Sequence, residues 1–221
     1  MSVTKFGVYR NSNIGIYLRG SENFTLAPTG MAQSKIAKLE SNLEVPALTA
    51  SVGGSRLLGP LLAMNSHGIV LSKIASDQEV RDLSKLTGLQ VGRIDMKYTS
   101  VGNLVCANDH GALVSKLIPS SGVRQVSDIL DVPVEAMNIG TFYQIGAMIV
   151  ATNAGGVIHP SARDFEIDFV QDILGIEVEA GTINSGVPYV TSGIIANGRN
   201  AIVGSHTSGL ELAILSRALK L

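Results

Sequence analysis

Apolar and polar positions follow one order five times along this chain: an apolar run, a polar turn built on Asn or Gly, then a second apolar run. Residues 59–70, 102–114, 146–158 and 193–203 are close copies, and residues 15–26 are a looser one. The turn asparagines Asn65, Asn108, Asn153 and Asn197 lie 43, 45 and 44 residues apart. A fixed period in this range marks stacked or ring-arranged supersecondary units. In each copy the turn joins two short β-runs. Asn-Gly and its relatives tolerate the positive φ that a tight hairpin needs.

Helix-start chemistry follows each hairpin. Ser76 with Glu79, and Ser208 with Glu211, have the spacing of a capping box, in which hydroxyl and carboxylate satisfy free N–H groups at a helix start. Ser161 with Asp164 is a weaker version. Apolar residues then recur at helical spacing: Val80 and Leu83; Val123, Val126 and Leu130; Val170, Ile173 and Leu174; Ile214, Leu215, Ala218 and Leu219. The first helix is expected within residues 31–42. A third strand follows each of the first four helices, at residues 47–52, 90–95, 134–138 and 177–183. Nothing follows the last helix, so its unit must borrow a strand, and residues 4–9 are the donor. The pattern predicts one domain of five β-β-α-β units around an axis, sheets inside and helices outside. The units span about 10–52, 53–96, 97–140, 141–184, and 185–221 completed by 1–9. Closure of this kind removes free sheet edges.

Composition narrows what such a ring could do. The net charge is −1, which argues against a broad basic face for DNA or RNA. There is no Trp and only 5% aromatic residues, too few for base-stacking platforms. Mean hydropathy is +0.29, yet no apolar run approaches the roughly 18 residues of a membrane span. The first five residues carry no signal-peptide hydrophobic region. The one cysteine, Cys106, fits a reducing cytoplasm.

Candidate chemistry is sparse. No Gly-x-x-x-x-Gly-Lys-Ser/Thr or Gly-x-Gly-x-x-Gly string is present, so nucleotide binding is unsupported. His67 and His110 occupy equivalent Asn-x-His-Gly turns, but no Cys or carboxylate recurs beside them at ligand spacing, and they read as turn residues. His159 and His206 have no nameable partner. The recurring asparagines read as turn formers in left-handed geometry. Asp77, Glu79, Arg81 and Asp82, and Arg163, Asp164, Glu166 and Asp168, read as solvated helix faces.

Several strings resemble the translation initiation factor 6 family shared by archaea and eukaryotes, in its archaeal form. They are residues 20–24 (Gly-Ser-Glu-Asn-Phe), 50–56 (Ala-Ser-Val-Gly-Gly-Ser-Arg), 65–68 (Asn-Ser-His-Gly), 99–103 (Thr-Ser-Val-Gly-Asn), 153–160 (Asn-Ala-Gly-Gly-Val-Ile-His-Pro) and 180–184 (Ala-Gly-Thr-Ile-Asn). Their order covers nearly the whole chain. The resemblance implies a pentein, a five-bladed pseudo-fivefold α/β propeller. It implies a non-enzymatic factor that binds the large ribosomal subunit, blocks premature joining of the small subunit, and serves large-subunit biogenesis. Penteins also include guanidino-modifying hydrolases and amidinotransferases, which use a Cys nucleophile in the final repeat. Residues 190–221 contain no Cys, and Cys106 sits in an apolar strand where cysteine behaves as a small hydrophobe.

The partner surface expected on this reading is formed by the loops leading into the first strand of each unit, residues 11–15, 55–60, 98–103, 141–146 and 187–193. Equivalent loops of a ring emerge on one face. These carry Arg56, Tyr98, Tyr143 and Tyr189, residue types enriched at interface hot spots. Asn13, Gly15, Gly59, Asn103 and Ser192 complete the candidate set. The resemblance implies a monomer that contacts chiefly a ribosomal protein at the subunit-joining face, with minor rRNA contact. No cofactor, metal or membrane is called for.

Overall fold

A computed structural model describes residues 2–221. Its strands form five three-stranded sheets, each an antiparallel hairpin with a third strand added in parallel. The first sheet joins β2 (Arg19–Gly20), β3 (Thr25–Pro28) and β4 (Ala47–Ala50). The next three are β5 (Leu62–Met64) to β7 (Gln90–Arg93), β8 (Val105–Ala107) to β10 (Val134–Met137), and β11 (Ile149–Ala151) to β13 (Val178–Ala180). The fifth pairs β14 (Ile194–Ala196) and β15 (Asn200–Gly204) with β1 (Ser2–Phe6). Strand β1 runs parallel to β15 with Ser2 opposite Asn200 and Phe6 opposite Gly204. The N-terminus therefore closes the ring, with a strand that starts and ends earlier than residues 4–9. It stops before Tyr9 and Arg10, which take left-handed backbone angles (φ 51 and 60) incompatible with a strand.

Outer helices connect second to third strands: α1 (Gln33–Leu43), α2 (Asp77–Thr87), α3 (Ser120–Leu130), α4 (Asp164–Leu174) and α5 (Gly209–Ala218). Each lays an apolar stripe on its sheets, as Ile36, Leu39 and Leu43 do against Leu18, Ala27 and Ile202. Burying a leucine contributes about 2 kcal/mol, so these stripes rather than helix propensity hold the helices in place.

Each unit has one element that the hydrophobic pattern does not predict. A single helical turn precedes the first strand: Ile14–Ile16, Leu58–Leu61, Val101–Leu104, Ile145–Met148 and Val190–Gly193. These five turns pack in a ring around the axis, backbone on backbone. A Cβ on Gly59 would stand 1.8 Å from the Gly15 carbonyl oxygen, one on Gly102 1.9 Å from that of Gly59, and one on Gly146 2.5 Å from that of Gly102. A Cβ on Gly15 would stand 1.9 Å from the Thr191 oxygen. Four units need glycine because only a missing side chain permits that approach. The fifth carries Thr191, whose hydroxyl donates to the Ile149 carbonyl at 3.0 Å.

The hairpin asparagines are structural for a reason other than left-handed backbone, since none of the four has positive φ. Asn65 Oδ1 accepts from the His67 and Gly68 amides, while its Nδ2 donates to the carbonyls of Asn108 and Leu130. Asn108 does the same with His110, Gly111, Thr152 and Leu174. Asn65, Asn108 and Asn197 each fold their own turn and cap the end of the next unit's helix. In the fourth unit Thr152 takes this place, accepting from the amides of Ala154 and Gly155, and Asn153 falls one position later.

Candidate functional site

Strand direction sorts the loops onto two faces. Each one-turn helix passes directly into the first strand, whose far end is the hairpin. The second strand returns, the outer helix runs to the hairpin end, and the third strand returns again. The turns leading into the one-turn helices and the starts of the outer helices thus share one face, and the hairpins occupy the other.

The hairpin face is polar and hydrogen-bonded to itself. The Ser66 amide donates to Asp109 Oδ1 (2.7 Å), the Asp109 amide to Asn153 Oδ1 (3.0 Å), and the Asn153 and Gly198 amides to the two oxygens of Glu22 (2.8 and 2.7 Å). These bonds link the hairpins of all five units in the order Ser66, Asp109, Asn153, Glu22 and Gly198, and the buried Ser66 Oγ and Asn200 Nδ2 have no hydrogen-bond partner among the described residues.

The lead-in face differs. Of ten exposed large apolar or aromatic side chains among the described residues, six lie in its loops: Tyr9, Leu57, Ile74, Tyr98, Tyr143 and Tyr189. Arg56 is exposed beside them, its guanidinium 5.9 Å from the Tyr9 ring centre, and Tyr9 stands edge-on to Tyr17. Tyr189 packs on the buried His159 ring, which also meets Phe142. At the centre of this face Gly15, Gly59, Asn103 and Ser192 line one small mouth with Arg19. Gly15 and Gly59 are buried and contribute backbone only. Asn13 is held by Asn184 Nδ2 (3.1 Å), and Ser192 by the Tyr189 carbonyl (2.8 Å). The structure thus brings all nine candidates to one face. Tyr9 lies outside the loops expected from the sequence, and Leu57 lies within the 55–60 loop but outside the candidate set.

Arg19 and Thr191 also line a second cavity of about 60 Å³, together with Cys106 and apolar side chains. Arg19 donates to the Gly102 carbonyl at 2.8 Å. Burial pushes the Cys106 thiol up to about 12, against a smaller opposing pull from Arg19, so the sulfur stays protonated at neutral pH. No histidine or carboxylate lines the cavity, and the arrangement offers no base for thiolate attack.

Three glutamates at the third position of outer helices turn inward, contrary to the reading of Glu79 and Glu166 as solvated. Glu79 accepts from the amides of Gly53 (3.0 Å), Gly54 (2.9 Å) and Ser76 (2.8 Å). Glu166 accepts from the amides of Gly140 (2.7 Å) and Arg163 (2.9 Å), and Glu211 from those of Ser185, Gly186 and Ser208. The α4 start is therefore built on Arg163 and Glu166, not on Ser161 and Asp164. Burial alone would raise these carboxyls. The converging hydrogen bonds outweigh it and hold all three at about 2. Each glutamate pins the turn leading into its unit.

Comparison with known proteins decides what this ring is. A model of the eIF-6 family matches residues 3–218. The chain belongs to the eIF-6 family. It is 40% identical to translation initiation factor 6 of Methanobrevibacter smithii over 97% of this chain and 96% of that protein. It is 42% identical to translation initiation factor 6 of Nitrosopumilus maritimus over 99% of each. Identity to the Thermococcus onnurineus protein of the same name is 32%, over 99% and 98%. These eIF-6 relatives carry the name of a translation initiation factor, which is not an enzyme class, and the guanidino-modifying alternative is not favoured.

Proposed function

We propose that this protein binds the large ribosomal subunit through its lead-in face and thereby prevents premature association with the small subunit, with a second role in large-subunit biogenesis. The observation that carries the reading is the gathering of the four exposed tyrosines and Arg56 on one face of the ring, opposite hairpins that are hydrogen-bonded to one another. Tyr and Arg at the centre of a patch are the residues that anchor protein interfaces. Anti-association requires no chemistry: a rigid body seated on the joining surface excludes the other subunit by volume. Contact is chiefly with a ribosomal protein and only secondarily with rRNA, because a chain of net charge −1 lacks the cations for broad phosphate neutralisation. The protein acts as a monomer in the cytoplasm, without cofactor or metal. The test is light scattering of purified subunits. Adding the protein to large subunits first should lower the yield of joined ribosomes in proportion to its occupancy. Undiminished joining at saturating protein refutes the reading.

A further inference from the structure

In three units the turn leading into the unit is gripped by a glutamate of that unit's own helix. The first unit keeps the turn and lacks the glutamate. Residues 8–11 are paired as residues 52–55 are: the Val8 amide donates to Asn11 O at 3.2 Å, and the Asn11 amide to Val8 O at 2.8 Å. The central residues have matching backbone angles, φ 51 and 60 at Tyr9 and Arg10 against 60 and 67 at Gly53 and Gly54. The third position of α1, equivalent to Glu79, is Lys35. Its ammonium donates to the Gly7 carbonyl at 3.0 Å and rests 4.8 Å from the Phe6 ring centre. The amides of Tyr9 and Arg10 have no acceptor among the described residues. Where the other three units place a carboxylate, this unit has a groove of about 400 Å³ lined by Val8, Tyr9, Arg10, Met31, Ala32 and Lys35.

We propose that this groove receives an acidic side chain of a protein partner. A Glu or Asp carboxylate accepts from the Tyr9 and Arg10 amides as Glu79 accepts from Gly53 and Gly54. The Arg10 guanidinium and Lys35 ammonium neutralise it. An apolar neighbour in the partner packs on Val8, Met31 and the Tyr9 ring. A protein fits better than a nucleic-acid phosphate, because the intramolecular occupants are carboxylates and the groove walls are apolar. The groove borders Arg56 on the lead-in face, so the partner is the large-subunit protein docked there, and that part rests on the proposed function.

The test has two arms. In the first, the Tyr9 and Arg10 amides are followed by NMR as a capped peptide Ala-Leu-Glu-Leu-Ala, or its Gln counterpart, is added at millimolar concentration. The glutamate peptide should shift both amides and the glutamine peptide neither. Lys35→Glu should supply the missing carboxylate in cis. Both amides then shift without peptide, the peptide has no further effect, and Tm exceeds that of Lys35→Gln by about 2–4 °C. Equal effects of the two peptides, or a Lys35→Glu Tm no higher than Lys35→Gln, overturn the receptor. The second arm measures large-subunit binding, which Lys35→Glu should weaken by about tenfold or more. If wild type binds and Lys35→Glu binds equally, the partner assignment falls while the docking face stands. If wild type itself does not bind, the docking reading falls and the peptide arm alone judges the receptor.

Discussion

Replacing Glu211 by glutamine should cost the protein about 3 kcal/mol at neutral pH, and the cost should fade with acid. Glu211 is buried, and four donors converge on its carboxylate. Oε1 accepts from Thr182 Oγ1 (2.8 Å) and the Gly186 amide (2.9 Å), and Oε2 from the amides of Ser185 (3.0 Å) and Ser208 (2.7 Å). Glutamine offers one acceptor oxygen and turns an amide NH₂ toward two N–H groups. The carboxyl is displaced from its ordinary 4.5 to about 2 in the folded protein. A displacement of that size corresponds to about 3 kcal/mol of stability. Because the folded-state value is depressed, the stabilisation is complete above pH 4.5 and disappears as pH falls through 2. Urea melts of wild type and Glu211→Gln should differ by about 3 kcal/mol at pH 7 and pH 5, and by about 1.5 kcal/mol at pH 3. A difference below about 1 kcal/mol at pH 7, or one equal at pH 5 and pH 3, refutes the reasoning. Glu79 and Glu166 share the displacement. Their hydrogen bonds should likewise be lost as pH falls from 4.5 through 2, so the wild type should lose stability steadily over that range.

Other consequences are equally direct. Gly102→Ala should destabilise by about 3 kcal/mol or more in thermal or urea unfolding, because its Cβ would stand 1.9 Å from the Gly59 carbonyl oxygen and 2.5 Å from that of Leu62; a loss under about 1 kcal/mol would contradict backbone-on-backbone packing at the axis. Deleting residues 1–9 removes β1 and bares the edge of β15, so the truncated protein should aggregate or fail to fold; a soluble, cooperatively melting truncation would contradict closure by this strand. Cys106→Ala should leave subunit binding unchanged in a pelleting assay, and loss of binding in a folded variant would count against a purely structural cysteine. Binding should weaken only modestly with salt, and a log–log slope requiring many phosphate contacts would contradict a chiefly protein partner.

The ring was legible in the sequence because its repeat is carried by strand-forming apolar runs of fixed spacing, and a strand missing from the last unit has one plausible donor. The capping boxes at Ser76 and Ser208 were legible because both partners lie within one turn of helix. What escaped was set by contacts between units. The one-turn helices have no amphipathic stripe, since each faces its neighbours backbone to backbone. The inward turn of Glu79 and Glu166 depends on amides some 26 residues earlier in the chain, beyond the reach of local pattern. Thr152 took the place expected of Asn153 because a hydroxyl can fold the same turn as an asparagine. For the candidate site, the sequence supplied the loops with Arg56 and three tyrosines, and the resemblance strengthened the choice of Arg56 and Asn103. Tyr9 joined them only once the N-terminal strand was seen to end beside the same face.

The central claim is that the lead-in face docks on the large subunit, and co-sedimentation of face-specific variants tests it most directly. Arg56 is exposed and the Asn103 side chain makes no hydrogen bond among the described residues, so Arg56→Glu and Asn103→Arg should fold with nearly unchanged Tm. On the opposite face the control is the exposed His67→Glu, because Ser66 is partly buried against Asp109. Arg56→Glu and Asn103→Arg should each abolish pelleting with large subunits, and His67→Glu should pellet as wild type does. Retained binding by both lead-in variants, with loss in His67→Glu, would put the docking surface on the hairpin face and contradict the account.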